Sequence, residues 1–351
     1  MSELFYIVAM LIALAMAYLA NRTKKKSYLW LLIILLTILS GFRARTVGVD
    51  TLSYYSDIEC GFPYDWRFEE EGFRFIANII MDYTHNPQWL FVFCAFITNS
   101  FILVRLWDFK NEARFDFMVF LYLCIFYGNT MNIMRQAMAV ALVFYGTRYL
   151  KENKYHKFLL FLLIAFTFHR TALLSIAYIL INLWFSMSKN QKKIFAIPFI
   201  CVIIGSVLYV ARYLVNDIDA YSSQTISNIN VVFFYRLFVT IATILFNKLN
   251  IKVIISQNHR TMSNKYTFDK SLVTYVLIGL SFEALSMFFS FVGRTGLYYL
   301  MFEPVFWGTA IKQTKNRKIY GVLIAIFAIY MFYLLVFTNS ANLFPYSIYL
   351  N

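Results

Sequence analysis

Charge is scarce in this chain. Of its 351 residues only 14% are Asp, Glu, Lys or Arg, against 60% hydrophobic. No soluble domain of that length has such a balance. Breakers are scarce too, with five prolines and twelve glycines. No Gly/Ser linker, internal repeat or extramembrane domain is legible, so a single polytopic membrane domain over 1–351 is expected. The four cysteines lack metal spacing. Cys94, Cys124 and Cys201 sit inside apolar runs and Cys60 stands alone, which argues against a zinc site and a disulfide framework. Walker loop, dinucleotide fingerprint, Ser-His-Asp order and zinc motif are all missing. Asp217-Ile-Asp219 is a weak metal signal, because two acids in a polar loop are common; no metal and no cofactor is expected. A net charge of +14 is spread over short loops with no basic domain, so nucleic acid is not an expected partner.

What the chain has in quantity is apolar sequence. Runs of about 17–22 residues recur along it, long enough to cross a hydrocarbon core as helices. Twelve segments are expected, near 4–20, 28–42, 89–107, 115–128, 133–150, 158–168, 171–186, 194–214, 231–247, 271–292, 295–311 and 319–338. The stretch from Phe158 to Phe185 reads either as two short helices meeting at His169–Arg170 or as one long helix with a broken centre. The fold class is therefore all-α, a membrane-embedded helical bundle. The first run, Leu4 to Ala20, has no basic stretch before it and no small-residue cleavage site after it; Arg22, Lys24, Lys25 and Lys26 follow it. It is expected to be a retained first helix with its N-terminus outside.

All seventeen lysines fall in six polar gaps, at 21–27, 108–114, 151–157, 187–193, 248–270 and 312–318. A lysine excess marks the cytoplasmic side. Twelve segments place all six gaps on that side and both termini outside, with the bilayer as the surrounding partner. Six arginines sit with or beside the lysines, and nine do not: Arg43, Arg45, Arg67, Arg74, Arg135, Arg170, Arg212, Arg236 and Arg294. Arginine suits bidentate recognition of phosphate and carboxylate, so an anion held on the outer face is expected. Aromatics, 20% of residues, favour membrane interfaces and sugar-binding surfaces.

Four constellations could carry chemistry. The long outer loop at about 43–88 opens with Phe42-Arg-Ala-Arg-Thr-Val-Gly-Val-Asp-Thr-Leu-Ser-Tyr-Tyr55. Arg43 and Arg45 can reach a phosphate, Gly48 permits a tight turn, Asp50 can orient an arginine or accept a hydroxyl proton, and Tyr54 and Tyr55 offer faces and hydroxyls to a sugar. The bland alternative is headgroup anchoring, with Asp50 paired to one arginine. Later in this loop comes the run Glu69–Glu70–Glu71, then Gly72 to Tyr83, where Phe73, Ile76, Ile79, Ile80 and Tyr83 predict an amphipathic helix at the interface. The second constellation is Gly128-Asn-Thr-Met-Asn-Ile-Met-Arg-Gln136. Arg135 facing lipid at mid-helix would cost roughly 2.5–3.5 kcal/mol, so it should face protein or a wet cavity, unless it snorkels. The third is Phe166-Thr-Phe-His-Arg-Thr-Ala-Leu-Leu174, where His169 suits proton transfer and Arg170 adjoins it; the alternative is a hydrogen-bonded turn histidine. The fourth is Gly293-Arg-Thr-Gly-Leu-Tyr-Tyr299, which carries Arg294. Glu283 and Glu303 lie within membrane segments, where structural pairing is the first expectation. Pro304 is placed to open the helix at Glu303.

The first three constellations, as Phe42-Arg-x-Arg-Thr-Val-Gly-Val-Asp-Thr-x-x-Tyr-Tyr55, Asn132-x-x-Arg-Gln136 and His169-Arg-x-Ala-Leu173, together resemble the EpsG family of bacterial exopolysaccharide and O-antigen polymerases, within the Wzy-type group. The resemblance covers the first half in motifs and the whole length in architecture. It implies a GT-C-like inner-membrane glycosyltransferase that joins undecaprenyl-diphosphate-linked oligosaccharides, donor to acceptor, outside the cytoplasm for O-antigen, capsule or exopolysaccharide. A flippase and a chain-length regulator are implied as partners. On this reading Arg135 and Arg170 grip the donor diphosphate, and His169 or Asp50 acts as base. Arg43, Arg45, Tyr54, Tyr55, Asn132 and Gln136 hold substrate, with Arg294 added by position. The competing readings are a flippase or other transporter, which should show repeats with broken midplane helices, another lipid-linked glycan transferase such as a ligase, and a scaffold.

Overall fold

A computed structural model describes residues 2–61, 70–188, 190–191, 231–257, 270–287, 292–313, 317–338, 341–343 and 345–349. The expected segment at 194–214, the Asp217–Asp219 pair, Arg67 and Arg212 lie outside the described residues. The described residues are helical throughout, apart from turns and one isolated β-bridge between Arg43 and Ile348. Among the described residues, three helices are long and apolar enough to cross a membrane: Leu4–Thr23, Gln88–Asp108 and Lys318–Phe337. Five shorter apolar helices accompany them, at Lys26–Gly41, Phe115–Ile125, Tyr155–Phe168, Arg170–Ser186 and Val231–Leu245. This is a membrane protein, and its chain divides into two compact units.

The first unit comprises Met1–Tyr145, Leu163–His169 and Ala325–Asn351. Its helices are α1 (Ser2–Thr23), α2 (Lys26–Gly41), α3 (Thr51–Glu59), α4 (Glu71–Thr84), α5 (Gln88–Asp108), α6 (Phe115–Ile125) and most of α7 (Met134–Gly146). Helix α1 buries Ala9, Ala13, Ala17 and Ala20, a stripe of small side chains that lets it lie close to α2 and α6. Helices α2 and α5 meet more closely still: a Cβ on Gly41 would stand 2.8 Å from the Val92 Cα. Cys94 and Cys124 are buried packing residues and Cys60 is exposed, as the sequence suggests.

Helix α4 is the amphipathic helix expected before α5. It buries Phe73 and Ala77, while Phe75, Ile79 and Tyr83 are exposed along one stripe. The apolar arc is thus wider than the protein covers, the pattern of a helix resting at an interface. His85 ends this helix in the left-handed conformation, at φ 50°. The C-terminal stretch lies against α1 and the loop that follows α2. Tyr349 N donates to Phe42 O, Ala44 N to Ser347 O, and the Tyr6 hydroxyl to Leu343 O.

The second unit comprises Gly146–Leu162 and Arg170–Ile324. Helix α8 (Tyr155–Phe168) begins in it, followed by a 3-10 helix at Arg170–Ile176, α9 (Ala177–Ser186), α10 (Val231–Gln257), α11 (Lys270–Leu285), α12 (Val292–Leu300), α13 (Glu303–Gln313) and the start of α14 (Arg317–Phe337). Of the two readings for 158–185, the structure shows two short helices. Tyr155 bonds Asn182 at 3.0 Å and Phe158 meets Tyr178 with ring centroids 6.2 Å apart, so the chain doubles back at the non-helical His169.

The expected helix at 295–311 is broken. Helix α12 stops at Leu300 and α13 starts at Glu303, with Pro304 in its first turn, where a missing N–H costs nothing. Helices α11 and α12 are in direct contact, since a Cβ on Gly296 would stand 3.0 Å from the Gly279 carbonyl. Tyr178 is buried among Tyr275, Tyr299 and Phe302 and donates to the Tyr298 carbonyl at 2.7 Å.

Candidate functional site

Two of the sequence constellations lock together in the first unit. Gly48 turns the chain at φ 97°, and a Cβ there would stand 2.7 Å from the Met131 carbonyl, so only glycine fits. Asn132 accepts from Val49 N at 2.8 Å and donates to Ala341 O at 3.1 Å. Arg43 answers from the other side: Nη2 donates to Met131 O at 2.9 Å, Nε to Thr51 Oγ1 at 3.2 Å, and Nη1 to Ser40 O. It is 1% exposed and its guanidinium lies 4.7 Å from the Phe91 ring centroid. Burial lowers its pKa to about 10, which still leaves it charged at neutral pH. Arg43 and Asn132 therefore tie the loop after α2 to the turn before α7.

On this scaffold stands a four-residue network built from four elements of the same unit. Glu70, immediately before α4, is fully buried and bridges two predicted site residues. Its Oε2 accepts from Arg135 Nη1 at 2.8 Å, and its Oε1 meets His169 Nδ1 at 2.6 Å. Arg135, in the first turn of α7, is 7% exposed and points into protein, as the cost of facing lipid demands. Its Nε donates to the Tyr54 hydroxyl at 3.3 Å, and its guanidinium lies over the rings of Tyr54 and Phe73. Burial raises the Tyr54 phenol, against the pull of Arg135 and with smaller pushes from Asp50 and Glu70. Tyr54 stays a neutral hydroxyl.

The buried acid thus faces one guanidinium and one imidazole, and its charge is matched where it lies. His169 is the open end of the network, with its side chain 19% exposed. Among the described residues no protein group bonds its Nε2. The arrangement can hold a base steady beside a fixed positive charge.

The geometry under this network is tight. Gly72, two residues after Glu70, faces Thr167, two residues before His169. A Cβ on Gly72 would stand 2.6 Å from the Thr167 Cβ and 3.0 Å from its carbonyl oxygen. The backbone of α4 rests directly on the last turn of α8, and that apposition sets the distance from Glu70 to His169.

The other expected site residues are placed as follows. Asp50 caps α3 one turn before Tyr54, its carbonyl accepting from Tyr54 N at 3.1 Å. Tyr55 is buried, stacks on Phe91 at 4.7 Å and donates to Gln88 Oε1. Gln88 in turn donates to the carbonyls of Gly41 and Arg43. Arg45 is exposed, pairs with Glu59 at 2.7 Å and lies over the Tyr55 ring. Gln136 is buried beside Arg135 in sequence. Arg170 opens the 3-10 helix and belongs to the second unit, as does exposed Arg294 on α12. Among the described residues no group of three His, Cys, Asp or Glu is placed to hold a metal ion.

Sequence reasoning missed Glu70. It stood in the polar run Glu69–Glu70–Glu71 without distinction from its neighbours. One signal was available: inward-facing Arg135 and His169 require a buried counter-charge, and Glu70 immediately precedes an amphipathic helix that must dock.

The second unit has its own buried charges, in the pairing the sequence led us to expect. Arg236 Nη1 meets Glu283 Oε1 at 2.6 Å and Nε meets Glu303 Oε1 at 3.3 Å, with Glu303 fully buried. One of the nine arginines that avoid lysine thus pairs with both intramembrane acids.

A family model described as the EpsG family matches residues 26–348, nearly the whole chain. No curated protein and no solved structure matches. The chain belongs to the EpsG family, a family of Wzy-type polymerases.

Proposed function

We propose that this EpsG-family chain is the repeat-unit polymerase of a bacterial surface polysaccharide, an O-antigen, capsule or exopolysaccharide. On this reading it is a twelve-span, GT-C-like glycosyltransferase of the inner membrane with both termini outside. It joins undecaprenyl-diphosphate-linked oligosaccharides on the periplasmic side, downstream of a flippase and beside a chain-length regulator. The observation that carries the reading is the network joining His169, Glu70, Arg135 and Tyr54, which presents a proton acceptor next to a fixed cation.

The chemistry follows from those groups. A hydroxyl of the acceptor repeat attacks the anomeric carbon of the donor. The bond from that carbon to the diphosphate oxygen breaks, and the diphosphate leaves with the electron pair. The hydroxyl proton passes to His169. Charge develops on the departing diphosphate, where fixed guanidinium groups are worth most. Arg170, one peptide bond from His169, and Arg135, held by Glu70 and Tyr54, supply it. The leaving group brings its own activation, so the step calls for neither a nucleotide sugar nor a metal. Arg45, Tyr55, Gln136 and Arg294 are assigned to holding sugar or diphosphate. Arg43 and Asn132 serve substrate through the loop they fix, and Asp50 through Tyr54.

The test is reconstitution of the purified protein in liposomes with a lipid-linked repeat. The wild type should convert single repeats into a ladder of longer chains. Arg170→Ala should fold and insert but leave single repeats, with turnover down about 10²–10³-fold, the usual loss of one charge-stabilising group. Full-length chains from that variant would remove Arg170 from the chemistry. Movement of the lipid-linked repeat between leaflets without any elongation would favour the flippase reading.

A further inference from the structure

Within the polymerase reading just given, we infer that Glu70 is a positioning residue that selects the tautomer of His169 and thereby makes Nε2 the base. A neutral imidazole carries one proton, on either nitrogen, and the hydrogen bond made by the other atom decides which. Here Nδ1 lies 2.6 Å from Glu70 Oε1. Glu70 also receives Arg135 Nη1 at 2.8 Å, so the carboxylate is matched by a guanidinium and acts as acceptor toward the ring. Nδ1 must then carry the proton, which leaves the lone pair on Nε2. That atom has no protein partner among the described residues, and the His169 side chain is 19% exposed while Glu70 is fully buried. The acid is shut away and the ring nitrogen it frees is presented outward.

Proton movement balances without any further group. The acceptor hydroxyl gives its proton to Nε2 as its oxygen bonds the anomeric carbon. The imidazolium so formed is stabilised by Glu70, and it gives up the proton to water or to the departed diphosphate before the next cycle. Glu70 never touches substrate; it acts through His169. It also fixes Arg135, so one buried carboxylate keeps the base and a cation of the site at a set spacing.

Glu70→Gln, His169→Gln and the double variant separate this role from simple support. A Gln at 70 can offer its N–H to the ring and stabilise the wrong tautomer. We expect E70Q to lower kcat by about 10²–10⁴-fold, the range seen when an orienting carboxylate is lost, with KM for the lipid-linked repeat nearly unchanged. In the H169Q background the same change should cost at least about tenfold less than in the wild type, because only its effect through Arg135 remains. A cost that adds in full on H169Q, or a raised KM at unchanged kcat, would overturn the proposal in favour of Glu70 serving Arg135 alone.

Should E70Q fail to insert, the wild type itself decides. Nitrogen-15 NMR of histidine-labelled protein in liposomes, with H169Q to assign the signal, should show His169 protonated at Nδ1 and bare at Nε2. The opposite tautomer overturns the assignment. If the wild type makes no polymer, the enzymatic reading fails, while the NMR result still tests the Glu70–His169 bond.

Discussion

Gly72→Ala adds one carbon at the point where α4 rests on α8. In the native structure that carbon would stand 2.6 Å from the Thr167 Cβ and 3.0 Å from the Thr167 carbonyl oxygen. Two carbons need about 3.5–4.0 Å, so the helices must part by about 1 Å. Rotating Thr167 does not help, because its Cβ and carbonyl belong to the helix frame. Glu70 and His169 lie two residues from this contact on opposite sides, and their bond is 2.6 Å long. A parting of about 1 Å takes it to about 3.6 Å, a distance at which no hydrogen bond remains.

The effect on stability should be modest. Overpacking costs about 1–3 kcal/mol, while alanine in a helix recovers about 0.5–1 kcal/mol relative to glycine. Activity should suffer far more, since a misplacement of about 1 Å at a catalytic group costs on the order of 10²-fold. The assay is the initial rate of chain elongation in liposomes, beside thermal unfolding of the same preparation. Adding Thr167→Gly removes the obstructing Cβ and should restore part of the rate. A Gly72→Ala protein that elongates at the wild-type rate would refute the claim that this apposition sets the Glu70–His169 geometry.

Two further substitutions probe the frame. Gly48→Ala must adopt φ 97° and also meets three polar atoms within 2.8 Å; we expect a loss of about 1–3 kcal/mol from backbone strain alone, read as a lowered unfolding temperature or a failure to accumulate in the membrane. Arg236→Ala leaves Glu283 and Glu303 in the membrane interior without their cation and should cost about 3–5 kcal/mol; neutralising all three as Arg236→Met with Glu283→Gln and Glu303→Gln should recover most of it in the same unfolding measurement, which marks the cluster as structural.

The sequence made some features legible because their causes are local. Apolar runs gave the helices, and His169–Arg170 between two such runs gave the reversal that now separates α8 from α9. Pro304 announced the start of α13, because a residue without an N–H is tolerated in a first turn and breaks a helix elsewhere. Gly48 announced a turn. Intramembrane Glu283 and Glu303 announced a partner, because unpaired they could not stay. Each is a statement about one residue and its immediate surroundings. Direction is not such a statement. Arg43 and Arg135 read alike in sequence, two arginines near helix ends in adjacent motifs. One spends its donors on the carbonyls of Ser40 and Met131, and the other meets a buried acid. The choice depends on which backbone oxygens the fold leaves nearby, and no spacing rule carries that.

Glu70 shows why the two kinds of residue share motifs. It comes from a run of three acids that composition treats as solvated loop, yet it is carried inward at the start of α4. The helix can dock only where Gly72 meets Thr167, and Arg135 is within reach only because α7 begins where Asn132 and Arg43 tie its first turn to the Gly48 loop. Moving any of these ties shifts the Glu70 carboxylate relative to the imidazole. The scaffold residues and the chemical residues are therefore constrained together, by tolerances of a few tenths of an ångström at the hydrogen bonds between them. That coupling is why a short sequence signature of this kind mixes backbone-binding Arg43 and Asn132 with Arg135 and His169. A signature that kept only the groups facing substrate would specify the chemistry without the frame that aims it.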